Sequence, residues 1–165
     1  MFRPLLKQLL KPLRKPALAG FVMLALSTAG SAQTPAAPAL YMNGTDIATA
    51  LQKALQERPG MGVSTITTTD HYRINLITRT EPAGAIVHRP GTELHFITEG
   101  AATLVTGGTV VRAAEGVPGT IEGGVAQRVT KGDAILVPEG TPHQYTAVEG
   151  SVTYLEVRFN VPVAP

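Results

Sequence analysis

Hydrophobic and polar positions alternate in short runs from Val63 onward, and glycine- or proline-containing turns separate the runs. The runs are rich in β-branched residues and cover residues 64–69, 72–79, 101–106, 134–137 and 151–159. The turns lie at residues 81–84, 107–108, 116–119, 123–124 and 138–140. Many short strands divided in this way are typical of a β-sandwich or a β-barrel. The pattern therefore predicts an all-β domain over residues 61–165.

One segment before the strands has a helical pattern instead. Ile47, Leu51 and Leu55 recur at four-residue spacing, Thr45 is a candidate N-cap, and Pro59-Gly60 provides a stop signal. We expect one amphipathic helix within residues 44–60, with its apolar stripe covering part of a sheet. The proline- and alanine-rich residues 33–43 before it are predicted to be a flexible leader.

The first 32 residues have the order of regions that defines a secretory signal peptide. A basic start is followed by an apolar run at residues 17–26, and small residues end at Ala32. The apolar run is too short for a lasting membrane anchor, so we expect cleavage after Ala32 and a periplasmic or secreted protein. An uncleaved N-terminal anchor is the alternative interpretation.

Cleavage would reverse the sign of the net charge. The full chain carries +2, but residues 1–32 hold five of its fourteen basic residues and none of its twelve acidic ones, which leaves a net charge of −3. The remaining basic residues are scattered singly, so the sequence predicts no nucleic-acid surface. Because the chain has no cysteine, it forms no disulfide, and any metal must be held by nitrogen and oxygen atoms.

Two of the four histidines lie close to a glutamate in one short stretch. Glu93 and His95 fall on the same face of a strand predicted over residues 93–97. His88 is predicted to end the preceding strand, in a hairpin that brings it opposite the start of the Glu93 strand. A third histidine, His143, follows a rigid Pro/Gly corner at the start of another strand, with Tyr145 on the same face. These residue types are the ones that bind divalent metals, so the segments are candidates for two halves of a metal site.

The sequence resembles the cupin superfamily in both of that family's motifs. Gly132, Pro138, Gly140 and His143 match the second motif, whose final asparagine is replaced by Ala147. The first motif is matched in part. His88, Glu93 and Gly100 have its spacing, and Ile86 stands where its first histidine is expected.

The resemblance implies a cupin jelly-roll β-barrel with one short N-terminal helix. It also implies one divalent metal ion (Fe, Mn, Zn, Ni or Cu) held by His88, Glu93 and His143. His95 is either a fourth ligand that replaces the missing histidine or a hydrogen-bonding neighbour of Glu93.

Such a site is expected to act on a small polar metabolite, as an oxygenase, isomerase or lyase in which Glu93 is a ligand or a general base. The alternatives are a binding protein without turnover and a barrel that has lost its metal.

Four further residues are less favoured candidates for a functional role. His71 at a strand edge is a less favoured ligand, and Arg79, Arg128 and Tyr145 are candidates for contact with a polar substrate, although solvated arginines and a packed tyrosine are the commoner outcome. Gly107-Gly108 is interpreted as a hairpin turn rather than a phosphate cradle. The resemblance to small cupins also suggests a homodimer.

Overall fold

The computed structural model describes residues 35–160, and the predicted signal peptide lies outside the described residues. Within that range one helix precedes eight strands. They are α1 (Gly44–Glu57), β1 (Met61–Thr68), β2 (Tyr72–Arg79), β3 (Thr92–Thr106), β4 (Thr109–Val111), β5 (Thr120–Glu122), β6 (Val125–Thr130), β7 (Ala134–Val137) and β8 (His143–Phe159). No helix of the described chain has the length and apolar character needed to cross a membrane.

Six of the strands form one antiparallel sheet in the order β1-β2-β8-β3-β6, and β7 also pairs with β3. The first part of β3 pairs with β7 and its last part with β6. Two short strands therefore pair with the same side of one long strand. Strands β4 and β5 pair only with each other. The predicted all-β jelly-roll class with one short helix is confirmed.

Strands β3 and β8 are longer than the sequence pattern predicts. The separate runs expected at residues 93–97 and 101–106 are one strand, and the run at 151–159 begins eight residues earlier, at His143. Both strands bend where their register shifts, including between Gly100 and Ala102. Gly100 has a φ of 72°, and a Cβ there would lie 1.9 Å from the carbonyl oxygen of Ser151. Glycine therefore bends the strand without ending it.

Three short strands, β4, β5 and β6, were not predicted. Most of their side chains are exposed, so no alternation of buried and exposed positions marks them. Gly107-Gly108 form a turn as predicted, but the two strands that this turn joins do not pair with each other as in a hairpin. These residues join β3 to β4, which pairs with β5 and not with β3.

Helix α1 covers the outer face of β1. Its N-cap is Asn43, which accepts a hydrogen bond from the backbone N–H of Asp46 at 2.9 Å, so the expected cap at Thr45 is wrong. Leu51 is buried, and Leu55 lies so close to Gly62 that a Cβ there would be 2.6 Å from Leu55 Cγ. The absence of a side chain at Gly62 lets helix and sheet approach closely.

The hydrophobic core lies on the inner faces of the long strands. Ile77, Ile97, Leu104, Val152 and Tyr154 belong to it, and all are less than a tenth exposed. Each such side chain contributes about 1.5–3 kcal/mol relative to exposure. The same faces continue into polar residues toward the start of β3 and the end of β8, and those residues form the candidate site.

Candidate metal centre

Glu93 and His95 point into the barrel from the start of β3. Their side chains are 1% and 2% exposed, whereas Leu94 and Phe96 lie on the outer face. The alternation predicted from the sequence therefore places both site candidates on one inner surface.

His143 is the first residue of β8, and the chain before it fixes its position. Gly140, with a φ of 78°, forms the corner after Pro138, and Thr141 N–H donates to the Pro138 carbonyl at 3.0 Å. His143 then exchanges two backbone hydrogen bonds of 3.0 Å with Ile86.

His88 lies two residues beyond Ile86, in an extended segment. The sequence predicted that His88 would end a strand paired with the start of β3. The structure shows instead one isolated bridge, between Ile86 and His143, and it is this bridge that brings His88 to His143. Their ring centroids are 5.5 Å apart.

The three predicted site histidines surround the carboxylate of Glu93, the fourth predicted residue. His88 Nε2 is 3.2 Å from Oε1, while His143 Nε2 and His95 Nε2 are 3.2 and 3.3 Å from Oε2. Donor atoms of His88, Glu93 and His143 all lie within 4.8 Å of one another, and those of Glu93, His95 and Glu156 form a second such group. Atoms that share an ion at about 2.0–2.2 Å are themselves about 3 Å apart, so the observed spacings fit a common ion.

The hydrogen bonds of His143 leave its inner nitrogen without a partner. His143 Nδ1 lies 3.2 Å from the carbonyl oxygen of Thr141, which can only accept, so Nδ1 carries the proton. Nε2 is buried, has no hydrogen-bond partner among residues 35–160, and faces the Glu93 carboxylate. Two facing lone pairs repel each other unless a metal ion or a proton lies between them. A backbone carbonyl that orients a histidine in this way is typical of metal-ligating imidazoles.

Arg158, which the sequence did not single out, also reaches Glu93. It lies directly opposite Glu93 in the β3–β8 register and donates from Nε to Glu93 Oε1 at 2.6 Å. Its Nη2 donates to His88 Nε2 at 2.8 Å, so this nitrogen is also unprotonated. The sequence could have indicated that Tyr154, Glu156 and Arg158 share one face of a strand. Only the pairing register of the structure shows that Arg158 lies opposite Glu93.

Electrostatics keep the central carboxylate ionised. Burial raises the pKa of Glu93, but the close imidazoles of His143, His95 and His88 favour its ionised form, outweigh burial and hold that pKa well below its usual range. Burial lowers the pKa of His88, against the opposing effect of Glu93. An ionised carboxylate is the form of this side chain that binds a divalent metal.

His95 is held from both ring nitrogens. Nε2 is 3.3 Å from Glu93 Oε2 and Nδ1 is 3.2 Å from the Tyr145 hydroxyl. This geometry fits either tautomer, so His95 as a ligand and His95 as a hydrogen-bonding neighbour both agree with it. Glu156, opposite His95 in the register, accepts from Asn75 at 2.9 Å.

Of the weaker site candidates, two are buried and two are exposed. Arg79 is 8% exposed, so the expectation that it is solvated is wrong, while Tyr145 is packed and 2% exposed. Arg128 pairs with Glu149 on the surface, where both side chains are more than half exposed. His71 is exposed and outside both groups of metal-ligand atoms.

Comparisons with known proteins agree with this architecture. A family model described as the AraC-like ligand binding domain matches residues 87–164. The crystal structure of BH2720 from Bacillus halodurans is 18% identical, with a TM-score of 0.51, and the match covers 78% of this chain and 86% of that one. No curated protein matches the sequence.

Two further structures are similar at lower TM-scores of 0.48. KdgF from Halomonas sp. is 16% identical, over 64% of this chain and 84% of its own. The Schizosaccharomyces pombe Cnp3 cupin domain is 8% identical, over 61% of each chain. This chain therefore has the antiparallel jelly-roll fold that the cupin motifs predict, and its residues 87–164 match the AraC-like ligand binding domain.

Proposed function

We propose that this chain is an exported metal-binding cupin that acts on a small polar metabolite through one divalent metal. His88, Glu93 and His143 would hold the metal, and His95 would be either a fourth ligand or a hydrogen-bonding neighbour of Glu93. The observation that carries the proposal is the buried, unpartnered Nε2 of His143 at 3.2 Å from Glu93 Oε2. A bound metal ion would relieve this arrangement, as would a proton on Nε2.

The donor set limits the metals and the chemistry. Imidazole and carboxylate ligands without thiolate suit Fe, Mn, Zn, Ni or Cu. When bound, such a metal supplies a Lewis acid that polarises an oxygen atom of a substrate. The chain's own residues fix the geometry, since Thr141 orients His143 and Arg158 orients Glu93. Because Glu93 is surrounded by imidazoles and a guanidinium, we assign it as a ligand rather than as a general base.

Metal content tests the proposal directly. Mature protein without a histidine tag should bind one divalent metal per chain, measured by elemental analysis and by calorimetry with Mn²⁺ and Zn²⁺. His143→Ala should lower the affinity at least about 100-fold, beyond the range for loss of a neighbouring residue alone. His71→Ala is the matched control and should bind like the wild type. Wild-type protein that holds no stoichiometric metal would show that the site has lost this function.

The alternative is a cupin that binds a metal or a small molecule without turnover. Both functions use the same residues, so mutation does not separate them. Metal-loaded protein incubated with candidate metabolites under air does: consumption of a metabolite that depends on His143 supports catalysis, and binding without consumption supports the alternative.

Export is the remaining part of the proposal and rests on the sequence of residues 1–32. Full-length chain expressed in a Gram-negative host should appear in the periplasm with Gln33 at its N-terminus. Protein that stays in the cytoplasm with residues 1–32 attached would contradict it.

A further inference from the structure

Arg79 is a buried charge without an acidic partner. It ends β2 on the inner face of the sheet and is only 8% exposed. Its Nε donates to the Tyr154 hydroxyl at 3.1 Å, and its guanidinium carbon lies 5.4 Å from the centre of the Tyr145 ring. No carboxylate oxygen of residues 35–160 lies within ion-pair distance, 4.0 Å, of Arg79. An arginine keeps its charge when buried, and a buried charge without a counterion is costly.

Three spaces have Arg79 in their walls, and one of them, of about 240 Å³, is lined also by Arg58 and Glu81. The smallest is an inner cavity of about 20 Å³, which Arg79 lines together with His95, His143 and Glu156. This volume holds about one water molecule. Glu156 makes no direct ion pair with Arg79, because its carboxylate accepts from Asn75 and lies beyond 4.0 Å from the guanidinium.

The outer space is a cleft of about 460 Å³ at the barrel mouth. Arg58, Arg79 and Arg112 line it, and none of its lining residues is acidic. Arg79 and Ile86 belong to the walls of both spaces, so the cleft leads toward His143. Its volume is within the range of small-molecule sites.

Three guanidinium groups and no acid line this cleft, so it favours an anion, although Glu81 lines the neighbouring space beside Arg58 and Arg79. A guanidinium matches a planar carboxylate with two parallel hydrogen bonds, and it does so best where water is excluded, as at Arg79. Exposed Arg112 and Arg58 add a positive field that draws such a ligand inward. The apolar walls formed by Met61, Ile86 and Val117 suit a carbon skeleton rather than an inorganic ion.

We propose that the cleft binds a small organic carboxylate, with Arg79 as its innermost anchor and the histidines of the metal centre next to it. This assigns the substrate class of the proposed function and rests on that function only for the nearby metal. The anion site itself consists of Arg79 and its two outer neighbours and does not require an ion at Glu93.

Calorimetry with succinate as the probe, on metal-free and on metal-loaded protein at constant ionic strength, tests the proposal. Succinate should bind both forms, and succinamide, its uncharged analogue, should bind neither. Arg79→Gln should weaken succinate binding at least about tenfold, the loss expected for one charge-assisted pair. Arg128→Gln, which changes a surface arginine, should have no effect.

Further variants keep the test valid if Arg79→Gln fails to fold. Arg112→Gln changes an exposed cleft residue and should weaken succinate binding several-fold and reduce its dependence on salt. Arg79→Lys should restore part of the affinity that Arg79→Gln loses. Equal binding of succinamide, or succinate binding that is unchanged in both cleft variants, would overturn the proposal. If His143→Ala shows that the metal assignment is wrong while succinate still binds through Arg79, the anion site stands alone.

Discussion

Arg158 donates to Glu93 Oε1 at 2.6 Å and to His88 Nε2 at 2.8 Å, so one side chain holds two of the proposed metal ligands. The guanidinium supplies a positive charge to a carboxylate that is 1% exposed. It also uses the lone pair that His88 would offer to a metal. Arg158 therefore stabilises the metal-free site and competes with a metal for His88.

Removal of this guanidinium should have opposite effects on stability and on metal affinity. We expect Arg158→Met to lower the free energy of unfolding of metal-free protein by roughly 2–3 kcal/mol, because Glu93 loses its strongest partner. The same change should raise the affinity for Zn²⁺ about tenfold, since His88 no longer has to exchange a hydrogen bond for the metal. Urea denaturation in EDTA and calorimetry measure the two effects.

Arg128→Met is the control for this pair of measurements. Arg128 binds Glu149 through two hydrogen bonds on the exposed surface, where an ion pair contributes little. A weaker Zn²⁺ affinity in Arg158→Met would show that Arg158 supports metal binding rather than competing with it.

The local part of this site was predictable from the sequence, and the long-range part was not. The two-residue alternation in β3 places Glu93 and His95 together, and the Pro/Gly corner fixes His143. Arg158 is 65 residues from Glu93 along the chain, and its role depends on the β3–β8 register, which several bulges shift. No local pattern encodes those shifts.

The same reasoning explains the errors in the fold. The sequence predicted separate strands on the two sides of Gly100. The structure uses its positive φ for a bend within β3. The short strands β4 and β5 bury almost nothing, so they leave no hydrophobic period to detect.

Gly100→Ala should therefore destabilise the barrel strongly. The new Cβ would meet the Ser151 carbonyl oxygen, and the residue would keep a φ of 72° that alanine disfavours. We expect a loss of at least about 2 kcal/mol in urea denaturation. Gly107→Ala separates the two causes. Its φ is 77° but nothing lies within 4 Å of the added atom, so it should lose only about 1 kcal/mol. Equal losses at both positions would show that the contact with Ser151 does not matter.

The stacked tyrosines of the core predict sensitivity to alkali. Burial raises the pKa of Tyr154 to about 12, although Arg79 acts in the opposite direction. An unfolded tyrosine titrates near pH 10. The stability from Tyr154 is therefore complete below about pH 10 and is lost as the pH rises toward 12, because the unfolded chain releases the proton more easily.

Thermal unfolding followed across this alkaline range measures the effect. The melting temperature of wild-type protein should fall more steeply above about pH 10 than that of Tyr154→Phe, which has no phenol to ionise. Tyr72→Phe, at an exposed position, should follow the wild type. Parallel curves for wild type and Tyr154→Phe would contradict this account.

The outer face of the main sheet carries two rows of apolar side chains. One row is Ile74, Val157, Leu94 and Leu136, and the other is Leu76, Leu155, Phe96 and Ala134. Phe96 is 42% exposed and Leu136 64% exposed. Along a strand of an antiparallel sheet, the residues that face water are normally polar. Two rows of apolar residues on an outer face therefore indicate a surface that another molecule covers.

We propose that a second copy of this chain covers these rows. The rows carry no charge, so two identical faces related by a twofold axis meet without like-charge repulsion, and sheets pack face to face in this way. We expect the wild type to be a dimer in light scattering coupled to gel filtration, and Leu136→Lys to be a folded monomer because it places two charges in the interface. Val125→Lys, at an exposed apolar position on β6 outside the two rows, should remain dimeric. A monomeric wild type would show that the face is open to solvent, and a dimeric Leu136→Lys would place the interface elsewhere on the barrel.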